Sequence, residues 1–314
     1  MIINEWEKTG LIYAPDGSHG FDYSHCHKPT PLLIDDNTIR VYFGVRCSEG
    51  KTRTTFIDVD ADNPRVVKYI HDKPVLDLGK IGAFDDSGAN VSSVVRHGNL
   101  IYMYFIGWNP STTVHTRNSI GLAVSRDDGL TFRRLYEGPV LDRNKLEPYY
   151  TGAVDVLKEG DNWRMWYTSG TEWKNINGKP EIFYHIKYAY SDNGEDWTRD
   201  NLSSILPENE HEAVARPSVQ KIGDKYHMWF SQRSIVDFRT NPDNGYRAGY
   251  AISDDGLNWA RQSSAGIHPS DEGWDSKTIA YPYVLQRKNK LIMFYNGNGF
   301  GKTGFGCALA DVPV

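Results

Sequence analysis

An internal repeat constrains this chain more than any other feature. Five segments, residues 38–43, 100–105, 163–167, 226–230 and 291–295, alternate apolar and aromatic side chains in the same way. Aligned on Val41, Met103, Met165, Met228 and Met293, they are separated by 62, 62, 63 and 65 residues, so five units account for nearly all of the 314 residues. Four of the five methionines stand at this one register position. Self-similarity at a fixed period is the mark of a repeat architecture.

Every unit keeps one internal order. An apolar run comes first, at 30–34, 91–95, 153–157, 217–219 and 283–285. A polar turn follows, such as Asp35-Asp36-Asn37 or Gly160-Asp161-Asn162, of the kind that joins antiparallel strands. The aromatic strand is next, then a third strand (119–124, 186–190 and 249–252) and a weaker fourth. Repeated five times, this predicts an all-β chain: a single five-bladed β-propeller of about 63 residues per blade. Residues 1–314 form one domain in this reading, and segment 6–12 adds the outer strand that closes the last blade. Residues 125–132 (Ser-Arg-Asp-Asp-Gly-Leu-Thr-Phe) resemble the Asp-box turn of sialidase-like propellers, and 191–197 and 253–259 are the same turn one residue shorter. Their Asp or Asn caps and glycines predict structural turns around Asp128, Asn193 and Asp255, away from any site.

Charge and composition remove several classes of function. A net charge of −5 and a pI near 6.1, without a basic stripe, argue against a nucleic-acid partner. Residues 1–7 lack a basic stretch leading into an apolar one, and no apolar run is long enough for a bilayer, so neither secretion nor membrane insertion is expected. Cys26, Cys47 and Cys307 are too few and too odd in number for a disulfide framework. A cytoplasmic protein with reduced thiols is the expectation.

In such a ring every innermost strand begins at the same face, so the residues ahead of the apolar runs converge on one funnel. Blade one brings His25, Cys26, His27 and Lys28, and blade two Asp85, Asp86 and Asn90. Blade three brings Tyr149, Tyr150 and Thr151, blade four Glu212 and Arg216, and blade five Asp275, Lys277 and Tyr281. The second strands return to that mouth and add Arg46, Trp108, Gly170, Arg233 and Asn298, each five residues past the register position. Segments 109–118, 171–183 and 234–245 are long enough to cover a ligand, as functional loops do.

Carboxylates among cations and aromatic rings point to sugar chemistry. Two carboxyl groups divide the work of glycosidic cleavage, one as acid and one as base or nucleophile, and rings such as Trp108 suit the apolar faces of sugars. Glu212, Asp86, Asp275 and Asp85 are the catalytic candidates, with Glu212 as proton donor. Substitution Glu212→Gln would then keep the fold and lower turnover roughly a hundredfold. His25, His27, Arg46, Trp108, Tyr150, Arg216, Arg233, Lys277, Tyr281 and Asn298 are the substrate-binding candidates. The same residues also allow Asp85-Asp86 to be a turn cap and Glu212 with Arg216 a structural ion pair. His25 and His27 alternate around Cys26 on one strand face, but no further ligand follows at metal spacing, so no metal and no cofactor are expected. The glycine-rich run 297–306 lacks P-loop spacing and lies between strands, where it reads as a tight hairpin beside the ligand.

The blade starts at 24–31 (Ser-His-Cys-His-Lys-Pro-Thr-Pro), 84–88 (Phe-Asp-Asp-Ser-Gly), 212–217 (Glu-Ala-Val-Ala-Arg-Pro) and 273–275 (Gly-Trp-Asp) resemble those of the five-bladed β-propeller glycosidases. These are relatives of glycoside hydrolase families 43, 32 and 130. As architecture the resemblance covers the whole chain, and it implies a carbohydrate-active enzyme. In families 43 and 32 an acidic residue opens the first inner strand, a place held here by His25 and His27. Glu212 matches the place of the general acid, and Asp85 or Asp86 a second acidic position. Family 130 includes phosphorylases that bind phosphate with basic and histidine residues, and His25, His27, Arg46, Arg216, Arg233 and Lys277 are of that kind. Three functions stay open: an intracellular glycosidase acting on an oligosaccharide or glycoconjugate, a glycoside phosphorylase or enzyme for an anionic sugar, and a non-catalytic glycan-binding propeller.

Overall fold

A computed structural model of the chain describes residues 2–3, 5–18 and 21–312. Strand β1 (Glu7–Tyr13) stands apart at the start. The first set of strands is β2 (Ser24–Asp35), β3 (Thr38–Arg46), β4 (Thr52–Asp60) and β5 (Val67–Ile70). The second is β6 (Gly88–His97), β7 (Leu100–Asn109), β8 (Arg117–Ser125) and β9 (Arg133–Arg134). The third is β10 (Tyr150–Glu159), β11 (Asn162–Ile176), β12 (Lys179–Ser191) and β13 (Ser203–Ile205). The fourth is β14 (Glu212–Ile222), β15 (Lys225–Ser234), β16 (Arg247–Ser253) and β17 (Ala260–Arg261). The last is β18 (Ala280–Arg287), β19 (Lys290–Asn296) and β20 (Phe305–Asp311).

Each set is an antiparallel meander, and the last gains its fourth strand from β1, which pairs with β20. One parallel pair, Thr52 with Gly88, joins the first two sets into a continuous eight-stranded sheet. The first strands pack in a closed order: β2 against β6, β6 against β10, β10 against β14, β14 against β18, and β18 back against β2. Val41, Met103, Met165, Met228 and Met293 are all fully buried on the second strands. The second strands are buried on both faces because each set is sandwiched between neighbours, which explains apolar runs where a half-exposed strand would alternate.

The three Asp-box-like turns key each set to the one before it. Ser125 Oγ accepts the Gly129 N–H at 2.8 Å, and Asp127, one residue before Asp128, accepts from the backbone and hydroxyl of Thr131. The carbonyls of Gly129, Gly194 and Gly256 then accept from Tyr42 Oη, Tyr104 Oη and Trp166 Nε1 of the preceding set. These three donors sit one residue past the register position, so the contact is itself part of the repeat. Trp229 is the equivalent residue of the fourth set, and Trp6 meets it edge-on at 5.8 Å.

At the centre the first strands are tied side chain to backbone. Asp155 accepts from Tyr283 Oη, Ser93 Oγ and the Val219 N–H, joining four sets. Arg216 donates to the Ser92 carbonyl and to Thr30 Oγ1, which brings in the fifth.

All five first strands break register at the same place. The shifts fall between His27 and Thr30, Val91 and Ser93, Thr151 and Val154, Ala215 and Ser218, and Ala280 and Tyr283. Such bulges re-aim side chains and are frequent beside active sites. In three of them a residue before proline takes a left-handed φ: Lys28 at 55°, Arg216 at 56° and Tyr281 at 54°. A non-glycine residue in that region carries strain on the order of 1–2 kcal/mol. Proline next in line offers no ladder N–H, so the bulge costs the sheet no hydrogen bond there.

Candidate functional site

A central cavity of about 510 Å³ draws its wall from all five sets of strands. That volume lies within the usual range for small-molecule sites. Three kinds of segment build it: the first-strand bulges, the ends of the second strands, and the connections between second and third strands.

The bulges contribute His27, Lys28, Arg216 and Tyr281. Arg216 is wholly buried, its guanidinium 4.7 Å over the Tyr283 ring, and its Nε has no hydrogen-bond partner among the described residues. Burial holds its basicity below the usual arginine value. Lys28 donates its backbone N–H to Asn296 Oδ1 at 2.7 Å and lays its ammonium 4.8 Å over the Tyr281 ring. Burial first, then the nearby Arg216 and Arg46, push its pKa down to about 7. His27 is buried with Nε2 unpartnered among the described residues, and its ring stacks on His25 at 4.8 Å. Burial keeps both imidazoles neutral, His25 with a pKa of about 4 and His27 well below its usual value.

The second-strand ends supply Arg46, Trp108 and Arg233. Arg233 donates from Nε to Tyr184 Oη at 2.9 Å and stacks 3.7 Å over Phe238. With Tyr150, Tyr246 and Tyr281, these rings give the cavity an aromatic wall. The connections add His115, Glu181, Phe238, Arg239 and Phe300. Segment 171–183 is an extension of the β11–β12 hairpin, turning at Asn177-Gly178, where a loop was expected. Glu181 lies on that hairpin, buried, paired through Oε1 with Arg239 and with Oε2 free of hydrogen bonds among the described residues.

Seven of the ten expected substrate-binding residues therefore meet at the cavity: His27, Arg46, Trp108, Tyr150, Arg216, Arg233 and Tyr281. His25 flanks them through its stack on His27. Lys277 and Asn298 do not line it. Asn298 Oδ1 accepts the backbone N–H groups of Lys277 and Thr278, and the Lys277 side chain is exposed.

The expected convergence of four carboxylates is corrected by the structure. Glu212 turns away to a bidentate pair with Arg261, at 2.9 and 2.8 Å. Alternation placed it beside Arg216, but the register shift after Ala215 intervenes and sends the two side chains to different surroundings. Asp85 is buried against Arg134 at 2.6 Å, where burial raises its pKa and the guanidinium partly offsets that. Asp86 caps a turn, accepting from the Gly82 N–H and Ser87 Oγ at 2.9 Å. Asp275 is buried and holds Lys8 Nζ and Tyr295 Oη, both at 2.9 Å. None of the four lines the cavity. Among its lining residues Glu181 is the one carboxylate, against Lys28, Arg46, Arg216, Arg233 and Arg239.

The blade-one run brought Lys28 to the funnel but not among the binding candidates, and Glu181, His115 and Arg239 lie in the covering segments without being singled out. A usable signal existed for the first: a large residue before proline 12 or 13 residues ahead of the register position in three units. For Glu181 the signal was Asn177-Gly178, a strong hairpin turn.

No family model matches the chain. The Mycobacterium tuberculosis proteins Rv1502 and MT1551, both described as uncharacterised, are 33% identical to it over 308 residues, covering 98% of this chain and 99% of theirs. Among solved structures, a complex of BT0996 with RGII superposes with a TM-score of 0.73 at 19% identity, over 99% of this chain and 93% of that one. A structure from the GH130 family of mannoside phosphorylases, described as containing hydrolases that target β-1,2 mannosidic linkages in Candida mannan, has a TM-score of 0.67 at 14% identity, over 99% and 97%. The chain belongs to the family of the two M. tuberculosis proteins, and its all-β fold is that of the propeller glycosidases.

Proposed function

We propose that the protein is a five-bladed propeller enzyme acting on a glycoside that carries an anionic group, phosphate or carboxylate. Five four-stranded meanders packed in closed order support the blade count. The sugar part of the reading draws on the glycoside hydrolase neighbours, which establish a fold and leave the chemistry to the site.

The observation that carries the proposal is the charge of the cavity. Five cationic side chains face it with a single carboxylate, and that carboxylate is already paired with Arg239. Among the described residues Lys28, Arg46, Arg216 and Arg233 make no ion pair with a carboxylate, and the field of the buried Asp155 reaches Arg216 alone of the four. Cations gathered without counter-ions in a partly desolvated space are costly unless a ligand supplies the negative charge. Neutral oligosaccharides would leave that cost in place. Glu181 is the group positioned to exchange a proton with the glycosidic oxygen, and Trp108 and the tyrosines present faces for sugar rings. The two-carboxylate hydrolase arrangement finds no support in this cavity, whereas phosphate acting as nucleophile would need only one.

No helix among the described residues is long and apolar enough to cross a membrane. Three free cysteines, two of them buried, fit the cytoplasmic reading.

Turnover assays on paired substrates, each neutral glycoside beside its phosphorylated or uronic counterpart, with and without inorganic phosphate, test the proposal. The anionic member should be preferred at least tenfold in kcat/KM, or cleavage should require phosphate. Equal turnover of neutral substrates, indifferent to phosphate, would overturn it.

A further inference from the structure

We propose that Lys28 is a nucleophilic amine that forms an imine with the carbonyl group of an open-chain anionic sugar in the central cavity. The charge of that ligand rests on the function proposed above; the reactivity of the amine does not.

Position is the first support. Lys28 stands in the bulge of β2 with a left-handed φ of 55°, its N–H fixed to Asn296 Oδ1 and Pro29 next in the chain. A strained backbone locked on both sides holds its side chain in the cavity wall. Strain retained at such a place is the usual sign of a functional constraint.

Surroundings are the second. The charged and titratable groups around Lys28 are the guanidiniums of Arg46 and Arg216, the neutral imidazoles of His27 and His25, and the Tyr281 phenol, whose ring lies beneath the ammonium. Among the described residues no carboxylate pairs with it, whereas Lys8, Lys80, Lys221, Lys225 and Lys290 all pair with one. A lysine that is desolvated and set beside other cations loses its proton readily, which is how amines are activated for carbonyl chemistry. The lowered pKa of about 7 agrees with this.

The chemistry balances within the site. The Nζ lone pair attacks the carbonyl carbon, and the oxygen takes a proton to give a carbinolamine. Loss of that oxygen as water leaves a protonated C=N bond. A cationic imine beside Arg46 and Arg216 is unfavourable by itself, so an anionic group on the same ligand, seated between the guanidiniums, is required to stabilise it.

Glyceraldehyde 3-phosphate and glyceraldehyde, each with cyanoborohydride at pH 7, test this on the intact protein, with adduct sites mapped by peptide mass spectrometry. The phosphorylated aldehyde should label Lys28 at least a hundredfold faster than any surface lysine, and faster than glyceraldehyde does. Lys28→Arg, which keeps the charge, should abolish that adduct alone. Equal labelling of Lys28 by both aldehydes would uphold the amine and defeat the anionic reading of the cavity. Protection of the cavity by phosphate, seen as a raised melting temperature, without labelling of Lys28 would do the reverse. Labelling spread evenly over surface lysines overturns the proposal outright.

Discussion

Glu212 gives both its oxygens to Arg261, and Glu208 donates its backbone N–H to the same carboxylate. Glu181 instead keeps one buried oxygen unengaged among the described residues, at the edge of the cavity. A carboxylate already saturated by hydrogen bonds has little left to offer a substrate, and this contrast separates the two at the level of single residues. Glu212→Gln should leave kcat within about threefold while lowering unfolding free energy by about 1–3 kcal/mol, the range for losing one partner of a charged hydrogen bond. Glu181→Gln should lower kcat roughly a hundredfold or more, the scale of general acid–base catalysis. Steady-state kinetics beside urea unfolding on the two variants checks both. The opposite pattern would return Glu212 to the centre of the mechanism.

Elements show why the cations and rings of the site were legible and its carboxylate was not. Counting from the register position along the second strands led to Arg46, Trp108 and Arg233, which line the cavity because those strands run unbroken from the core to the mouth, whereas Asn298 lies past the end of its strand and does not. Counting back along the first strands crossed a bulge in every unit, and each bulge changes which face a residue meets. Glu212 and Asp275 lie beyond that break, whereas Lys28, Arg216 and Tyr281 lie in it. The five-fold order of strands was readable because aromatic and turn residues recur at fixed spacing. Among the described residues the hairpin carrying Glu181 recurs in no other set. At this scale the turns that lock neighbouring sets also make a prediction. Tyr104 Oη is a buried donor to the Gly194 carbonyl, so Tyr104→Phe leaves that acceptor unpaired. A loss of about 1–3 kcal/mol in urea unfolding is expected, and an unchanged midpoint would show that the turn is not held by this bond.

Across the whole molecule, four histidines in three of the sets share one property. His25, His185 and His227 have pKa values of about 4, and His27 lies well below its ordinary value, all chiefly through burial. In the unfolded chain each titrates near 6.5. Their folded pKa values are depressed, so the stability they allow is fully present above pH 6.5 and is lost as pH falls toward 4. The urea midpoint should therefore drop steeply between pH 6.5 and 4, and a flat profile across that window would contradict it. Removing residues 1–13 would strip β1 from β20 and Trp6 from Trp229, leaving an open strand edge. The truncated protein should melt at a lower temperature and aggregate, and a peptide of residues 1–13 should restore much of the loss. A truncation that melts like the full chain would show that closure through β1 is dispensable.

That closing pair joins Glu7 to Leu309, two positions about 300 residues apart along the chain. At about 5–20 residues per second, roughly 15–60 s separate their emergence from the ribosome. For that interval the segment that becomes β1, with its Leu11, Ile12 and Tyr13, has no strand to pair with, while the intervening meanders can form from local contacts. Closure of the ring is thus set by the clock of translation, and the newborn chain is most exposed to a second copy of itself just before Leu309 emerges.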